Sequence, residues 1–147
     1  QVKRPALFVF DLDGTLISSR ADLANAVNVA LRHLKLLQLP QPVIESYVGD
    51  GIDMLLRRSL TEKHLALFSE AKEVFTTYYN AHLLDHTAFL PEVFETLSAL
   101  KEVSQLAVLT NKQETYAEKI LEGLGVLPFF LEVAGEKDGR VPKPEPA

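Results

Sequence analysis

Residues 8–16 read FVFDLDGTL: an apolar run stops at Asp11, Asp13 follows two residues later, and Gly14 comes directly after. On an extended chain, residues two apart face the same side. Asp11 and Asp13 therefore converge just past the carboxyl end of a strand over Ala6–Phe10, which begins after Pro5. A short unbroken apolar run of this kind is the pattern of a strand buried on both faces, as in a parallel sheet. In open α/β sheets, ligands bind beyond the carboxyl ends of such strands. Gly14 allows a sharp turn and close approach of backbone to a ligand. Two adjacent carboxylates repel each other unless a cation or a proton lies between them, and Mg²⁺, hard and oxygen-seeking, suits that place.

Two further apolar runs have the same look. Residues 105–110 read QLAVLT, and residues 129–134, FFLEVA, form a weaker third strand with Gly135 as its stop. Helical spacing fills the intervals. Ser19 and Asp22 read as a capping pair, after which Leu23, Val27, Ala30, Leu31 and Leu34 recur on one face until Pro40 and Pro42 close the helix. The turn Gly49-Asp50-Gly51 separates a short helix from one over Ile52–Leu60, and a longer helix carries Leu65, Phe68, Ala71, Phe75 and Tyr79. Pro91 opens another helix, and residues 113–124 a last one with Gly125 as its cap. Strands alternating with helices predict an α/β, Rossmann-like parallel-sheet core. The consecutive helices of residues 18–86 break that alternation and read as an insertion after the first strand. Residues 1–17 and 87–147 would form the core.

The 147 residues hold 15 Lys and Arg against 20 Asp and Glu, a net charge of −5. There is no basic stripe, so nucleic acid is not an expected partner. Cysteine is absent, which excludes disulfide and thiolate chemistry and fits a reducing compartment. No apolar stretch is long enough to span a membrane, and the N-terminal run is too short for a signal peptide. The expectation is a cytoplasmic protein, monomer or homodimer, acting on a small molecule. The first residue is not Met, which suggests that something precedes it.

The second strand leads into Thr110-Asn111-Lys112, and Lys143 follows the third. Parallel strands would gather carboxylates, a hydroxyl, an amide and an ammonium at one edge. With Mg²⁺, that set suits phosphoryl transfer. One carboxylate can attack phosphorus to form an acyl phosphate, and the other can serve as general acid and then general base. Each motif alone is also an ordinary turn or loop; their order, each after an apolar strand, is what carries weight.

These residues resemble the haloacid dehalogenase superfamily of Mg²⁺-dependent phosphohydrolases. DLDGTL (residues 11–16) is similar to its first motif, LTNK (109–112) to its second, and Lys143 in KPEP to its third, while the helical insertion resembles the family's mobile cap. Within the superfamily, the segment YVGDGIDMLLRRSL (47–60) and LAVLTNK resemble phosphoglycolate phosphatases. The resemblance implies that Asp11 is the nucleophile and a Mg²⁺ ligand. Asp13 would be the acid/base and would give its carbonyl to the metal. Thr110, Asn111 and Gly14 would hold phosphoryl oxygens, and Lys143 would neutralise charge. Asp13 argues against the dehalogenase branch, which lacks that carboxylate. The family's fourth motif, an acidic pair after a later strand, lies beyond Ala147. The expectation is that this chain alone binds Mg²⁺ poorly and turns over slowly, or that a second chain supplies the acids. Ala6–Phe10 would then be an exposed apolar edge.

Two readings stay open beside the phosphatase: another superfamily enzyme (a sugar-phosphate mutase, or a nucleotide or pyrophosphate hydrolase), and a catalytically incomplete phosphate-binding fragment. Arg57 is a candidate contact for a substrate carboxylate, against an Asp53–Arg57 ion pair one helical turn apart, which is the preferred reading. His82 and His86 read as surface histidines at a fraying helix end in preference to a metal pair. The PKPEP run reads as a loop presenting Lys143.

Overall fold

The computed structural model describes residues 6–137. In chain order the elements are β1 (Ala6–Phe10), β2 (Ile17–Ser18), α1 (Arg20–His33), α2 (Gln41–Glu45), α3 (Ile52–Leu60), α4 (Phe68–His82), β3 (Ala88–Phe89), α5 (Val93–Leu100), β4 (Ser104–Gln113), α6 (Glu114–Gly123) and β5 (Glu132–Glu136). Short 3₁₀ turns lie at Glu62–Leu67 and Leu127–Phe129. The chain divides into two compact units, Ser19–Thr87 and the segments on either side of it.

The flanking unit holds a parallel sheet in the order β1-β4-β5, with Phe10 opposite Val108 and Val108 opposite Val133. This is the parallel α/β core that the strand–helix alternation predicts. Along β4, burial alternates: Leu106, Val108, Thr110 and Lys112 are buried, whereas Gln105 and Leu109 are exposed. Both crossovers, through α5 and α6, step the same way across the sheet, and crossovers of the usual hand then lie on one face. Helices thus cover a single face. This corrects the expectation of a first strand buried on both faces: Leu7 and Val9 of β1 are 56% and 57% exposed. β1 pairs with β4 alone among the described residues, so it is an exposed apolar edge. The third strand also differs. Residues 127–129 form a 3₁₀ turn around Pro128, the strand starts at Glu132, and Gly135 lies inside it and not at its stop. A second, two-stranded sheet that no sequence pattern announced pairs β2 with β3, Ser18 opposite Ala88. The inserted unit thus leaves and returns through neighbouring strands.

At the start of α5, Glu92 has φ +66, a left-handed conformation that costs an L-residue about 1–2 kcal/mol and glycine nothing. Glu92→Gly is expected to stabilise the flanking unit by about 0.5–1 kcal/mol after glycine's larger folding entropy is subtracted. A rise in melting temperature checks it; a fall would mean that the Glu92 side chain contributes more than its backbone costs.

In the inserted unit, α1 packs on α2, α3 and α4. Ala26, Val27 and Ala30 of α1 and Ala71, Phe75 and Tyr79 of α4 are wholly buried, the small residues allowing close approach and the aromatics filling the remainder. Asn28 of α1 fastens the following loop, its amide donating to Leu39 O and accepting from Leu39 N–H, both at 2.9 Å. α1 ends at His33, well before Pro40; Pro42 lies in the first turn of α2, where its missing N–H costs nothing. The predicted capping pair is not made. Ser19 gives α1 no side-chain cap, and Asp22 is 2% exposed and turned to other donors. Its carboxylate accepts His86 N–H at 2.9 and 3.0 Å, Thr87 N–H at 2.8 Å and the Thr87 hydroxyl at 2.7 Å. Three donors at the far end of the unit, two of them on the buried Thr87, take up that carboxylate.

Candidate active site

The chain leaves β1 at Asp11, whose Oδ1 accepts Leu12 N–H at 2.8 Å. Leu12 is wholly buried and anchors the loop. Its carbonyl accepts N–H bonds from Thr15, Leu16 and Ile17, and Gly14 N–H donates to Ile17 O at 2.9 Å. Gly14 sits at φ +80, which this tight loop requires. The loop thus buries Leu12 and leaves Asp11 exposed and Asp13 half-buried on either side of it.

Beside it, β4 departs from regular pairing. Leu109 lies opposite Ala134 and Gln113 opposite Glu136, so four steps on β4 match two on β5. The irregular stretch is Thr110-Asn111-Lys112, and bulges of this kind re-aim side chains at strand ends. Lys112 N–H donates to Thr110 Oγ1 at 3.1 Å. The Lys112 side chain is 4% exposed, with Nζ 3.7 Å from Asp13 Oδ2. The carboxyl ends of β1 and β4 are therefore joined through a buried ammonium and the second carboxylate.

Gly135 of β5 faces the bulge. A Cβ there would lie 2.5 Å from Lys112 O and 2.7 Å from Glu114 Cα, both backbone atoms. Glu114, first residue of α6, closes the arrangement: Oε1 accepts Gly135 N–H at 3.1 Å, and Oε2 pairs with Lys137 Nζ at 2.8 Å. Gly135→Ala is expected to destabilise the flanking unit by about 2–3 kcal/mol, because backbone must shift to admit the methyl group. Denaturant unfolding checks it, and an unchanged midpoint would refute the close packing of β5 on the bulge.

Asp11, Asp13, Gly14, Thr110 and Asn111 thus all lie in the flanking unit, at the carboxyl ends of two adjacent parallel strands. Lys143 lies outside the described residues. Arg57 belongs to the inserted unit, with its guanidinium 4.6 Å above the Phe68 ring. The preferred Asp53–Arg57 pair is not formed: Asp53 Oδ1 meets Lys72 Nζ at 2.8 Å, a partner on another helix that sequence spacing does not reveal. Arg58 braces the glycine turn, reaching Asp50 Oδ2 at 2.7 Å and Tyr47 O at 3.0 Å. His82 Nδ1 is 2.7 Å from Asp85 Oδ2, and His86 lies past the end of α4. No group of three His, Cys, Asp or Glu side chains converges among the described residues. Neither Lys112 nor Glu114 is among the site residues that the motifs imply. For Lys112 a signal existed, since on a strand it shares a face with Thr110.

Residues 8–147 match the family model described as haloacid dehalogenase-like hydrolase. The chain is 39% identical over 132 residues to a phosphoglycolate phosphatase of Chromobacterium violaceum, covering 86% of this chain and 60% of that protein. A phosphoglycolate phosphatase of Neisseria meningitidis is 40% identical over 143 residues, with 93% and 61% covered. A crystal structure described as a predicted phosphoglycolate phosphatase from Haemophilus somnus superposes with a TM-score of 0.86 at 33% identity, over 98% of this chain and 68% of that one. The chain spans about three fifths of the length of these two curated relatives. No helix among the described residues is long and apolar enough to cross a membrane.

Proposed function

The chain belongs to the haloacid dehalogenase-like hydrolases, and from that membership we propose that it carries the phosphoryl-transfer centre of a Mg²⁺-dependent phosphatase of small phosphate monoesters, with 2-phosphoglycolate the leading substrate. The observation that carries the proposal is the junction of β1 and β4, where Asp13 and the buried Lys112 meet beside Thr110. The names of the relatives support the substrate.

In this reading an Asp11 carboxylate oxygen attacks phosphorus in line, forming an acyl phosphate as the ester P–O bond breaks. Asp13 gives its proton to the departing oxygen. It then takes one from the water that attacks phosphorus, which frees Asp11 and releases inorganic phosphate. The Thr110 hydroxyl, the Asn111 amide and Gly14 hold phosphoryl oxygens, and Lys143 neutralises charge. The donor set of Asp11 carboxylate and Asp13 carbonyl is all hard oxygen, and Mg²⁺ commonly takes only one or two carboxylates beside water and substrate phosphate, so the residues fit the ion. When bound, it supplies charge neutralisation at the phosphoryl group. Residues 1–17 and 87–147 serve as the catalytic core and 18–86 as a cap that selects the substrate, with Arg57 a candidate contact. The zero cysteine count supports a cytoplasmic setting.

The test is phosphate release from a panel of monoesters, with Mg²⁺ and with chelator. Mg²⁺-dependent release that is fastest with 2-phosphoglycolate is the expected result. Preference for a nucleotide or pyrophosphate would overturn the substrate, and release insensitive to chelator would overturn the metal.

A further inference from the structure

We propose that Glu114 is a positioning residue of this site: its carboxylate clamps the end of β5 onto the bulge of β4 and so sets the aim of Thr110 and Asn111 toward a phosphoryl group. This role rests on the phosphatase reading above and deepens it.

An acidic residue in the first turn of a helix ordinarily serves the positive end of the helix dipole at the surface. Glu114, the first residue of α6, also reaches a neighbouring strand. Its side chain is only 13% exposed, and its two oxygens meet the β5 segment at different points. Oε1 accepts Gly135 N–H at 3.1 Å, and Oε2 pairs with Lys137 Nζ at 2.8 Å. A carboxylate so far withdrawn from water costs stability unless its oxygens are paired. Here the pairing joins the start of α6 to the end of β5.

The hold falls where the register changes. Ala134 lies opposite Leu109 and Glu136 opposite Gln113, so Gly135 is the β5 residue across from the whole irregular stretch Thr110-Asn111-Lys112. The two backbones are close enough there that a Cβ on Gly135 would lie 2.5 Å from Lys112 O. A bulge locally disrupts the ladder that otherwise fixes one strand against its neighbour. Glu114 stands only two positions past Lys112, and its bond to Gly135 N–H ties the strands at that point. With β5 seated, Thr110 and Lys112 are both buried, and Lys112 N–H donates to Thr110 Oγ1 at 3.1 Å. Binding groups must be held close to their productive geometry by the shell behind them, and a misplacement of about 1 Å can cost about a hundredfold. Glu114 thus acts through backbone, and Thr110 and Asn111 carry its effect to the phosphoryl oxygens.

The test measures inorganic phosphate binding by calorimetry in Mg²⁺, below the melting transition of each protein, for the unsubstituted chain, Glu114→Ala, Glu114→Asp, Glu114→Gln and Lys137→Ala. Glu114→Ala is expected to weaken phosphate binding about tenfold or more. Glu114→Gln keeps an oxygen for Gly135 N–H and is expected to stay within about threefold of the unsubstituted chain. Lys137→Ala removes only a partner that is 56% exposed, and is expected to change the affinity less than about threefold. Glu114→Asp keeps the charge but falls short of Gly135 N–H; it should bind as weakly as Glu114→Ala, and it decides the matter should that variant fold poorly. A merely structural role would lower the melting temperature of Glu114→Ala and leave phosphate affinity per folded molecule unchanged. That result overturns the positioning role alone, as does a Glu114→Gln variant as impaired as Glu114→Ala. No phosphate binding by the unsubstituted chain overturns the phosphatase reading together with it.

Discussion

Asp11→Asn is expected to lower phosphate release by about three orders of magnitude or more, which is about 4 kcal/mol of barrier, while leaving the fold intact. The reason is chemical. An amide oxygen is a poor nucleophile toward phosphorus, and no acyl phosphate forms. Folding survives because Asp11 is exposed and the asparagine carbonyl can accept Leu12 N–H as Oδ1 does. The measurement is turnover of 2-phosphoglycolate alongside a thermal melt. Residual turnover within tenfold of the unsubstituted chain, with the melt unchanged, would remove Asp11 from the nucleophile's role and with it the covalent mechanism.

Asp22→Ala is expected to cost about 4 kcal/mol of stability in the inserted unit, a large part of a typical domain's total. The substitution deletes the shared acceptor of His86 N–H, Thr87 N–H and the Thr87 hydroxyl. Thr87 is 6% exposed, so its donors cannot turn to water without local opening. Each orphaned buried donor costs about 1–3 kcal/mol. Because Asp22 stands near the start of the unit and Thr87 at its end, the loss should show first as faster hydrogen exchange at residues 86 and 87. Asp22→Asn, which keeps one acceptor oxygen, should fall between. A change below about 1 kcal/mol would mean that the unit closes without this clamp.

The candidate site residues could be picked out along the chain because they lie within a few residues of strand ends. Asp11 and Asp13 bracket a buried Leu12, and Thr110 follows a run whose apolar character marks a sheet strand. The helix after the Gly49-Asp50-Gly51 turn was legible, its observed bounds Ile52–Leu60 agreeing with the expected ones. Misreadings arose where a group had a choice of partners. Asp22 has the look of a cap but serves donors 64 and 65 residues away. Asp53 stands one turn from Arg57 yet pairs with Lys72, and Arg57 covers Phe68. Local spacing ranks only nearby candidates, whereas burial decides among all of them.

By itself the sequence determined the strand that ends in two carboxylates, the α/β alternation and the helical insertion, because periodicity and strand-end chemistry are properties of neighbouring residues. Tertiary structure alone decided that β4 is bulged at Thr110–Lys112 against Gly135, and that Lys112 is buried beside Asp13. These depend on which distant backbone comes alongside, and strand order, register and burial are set by packing between segments that no local pattern connects.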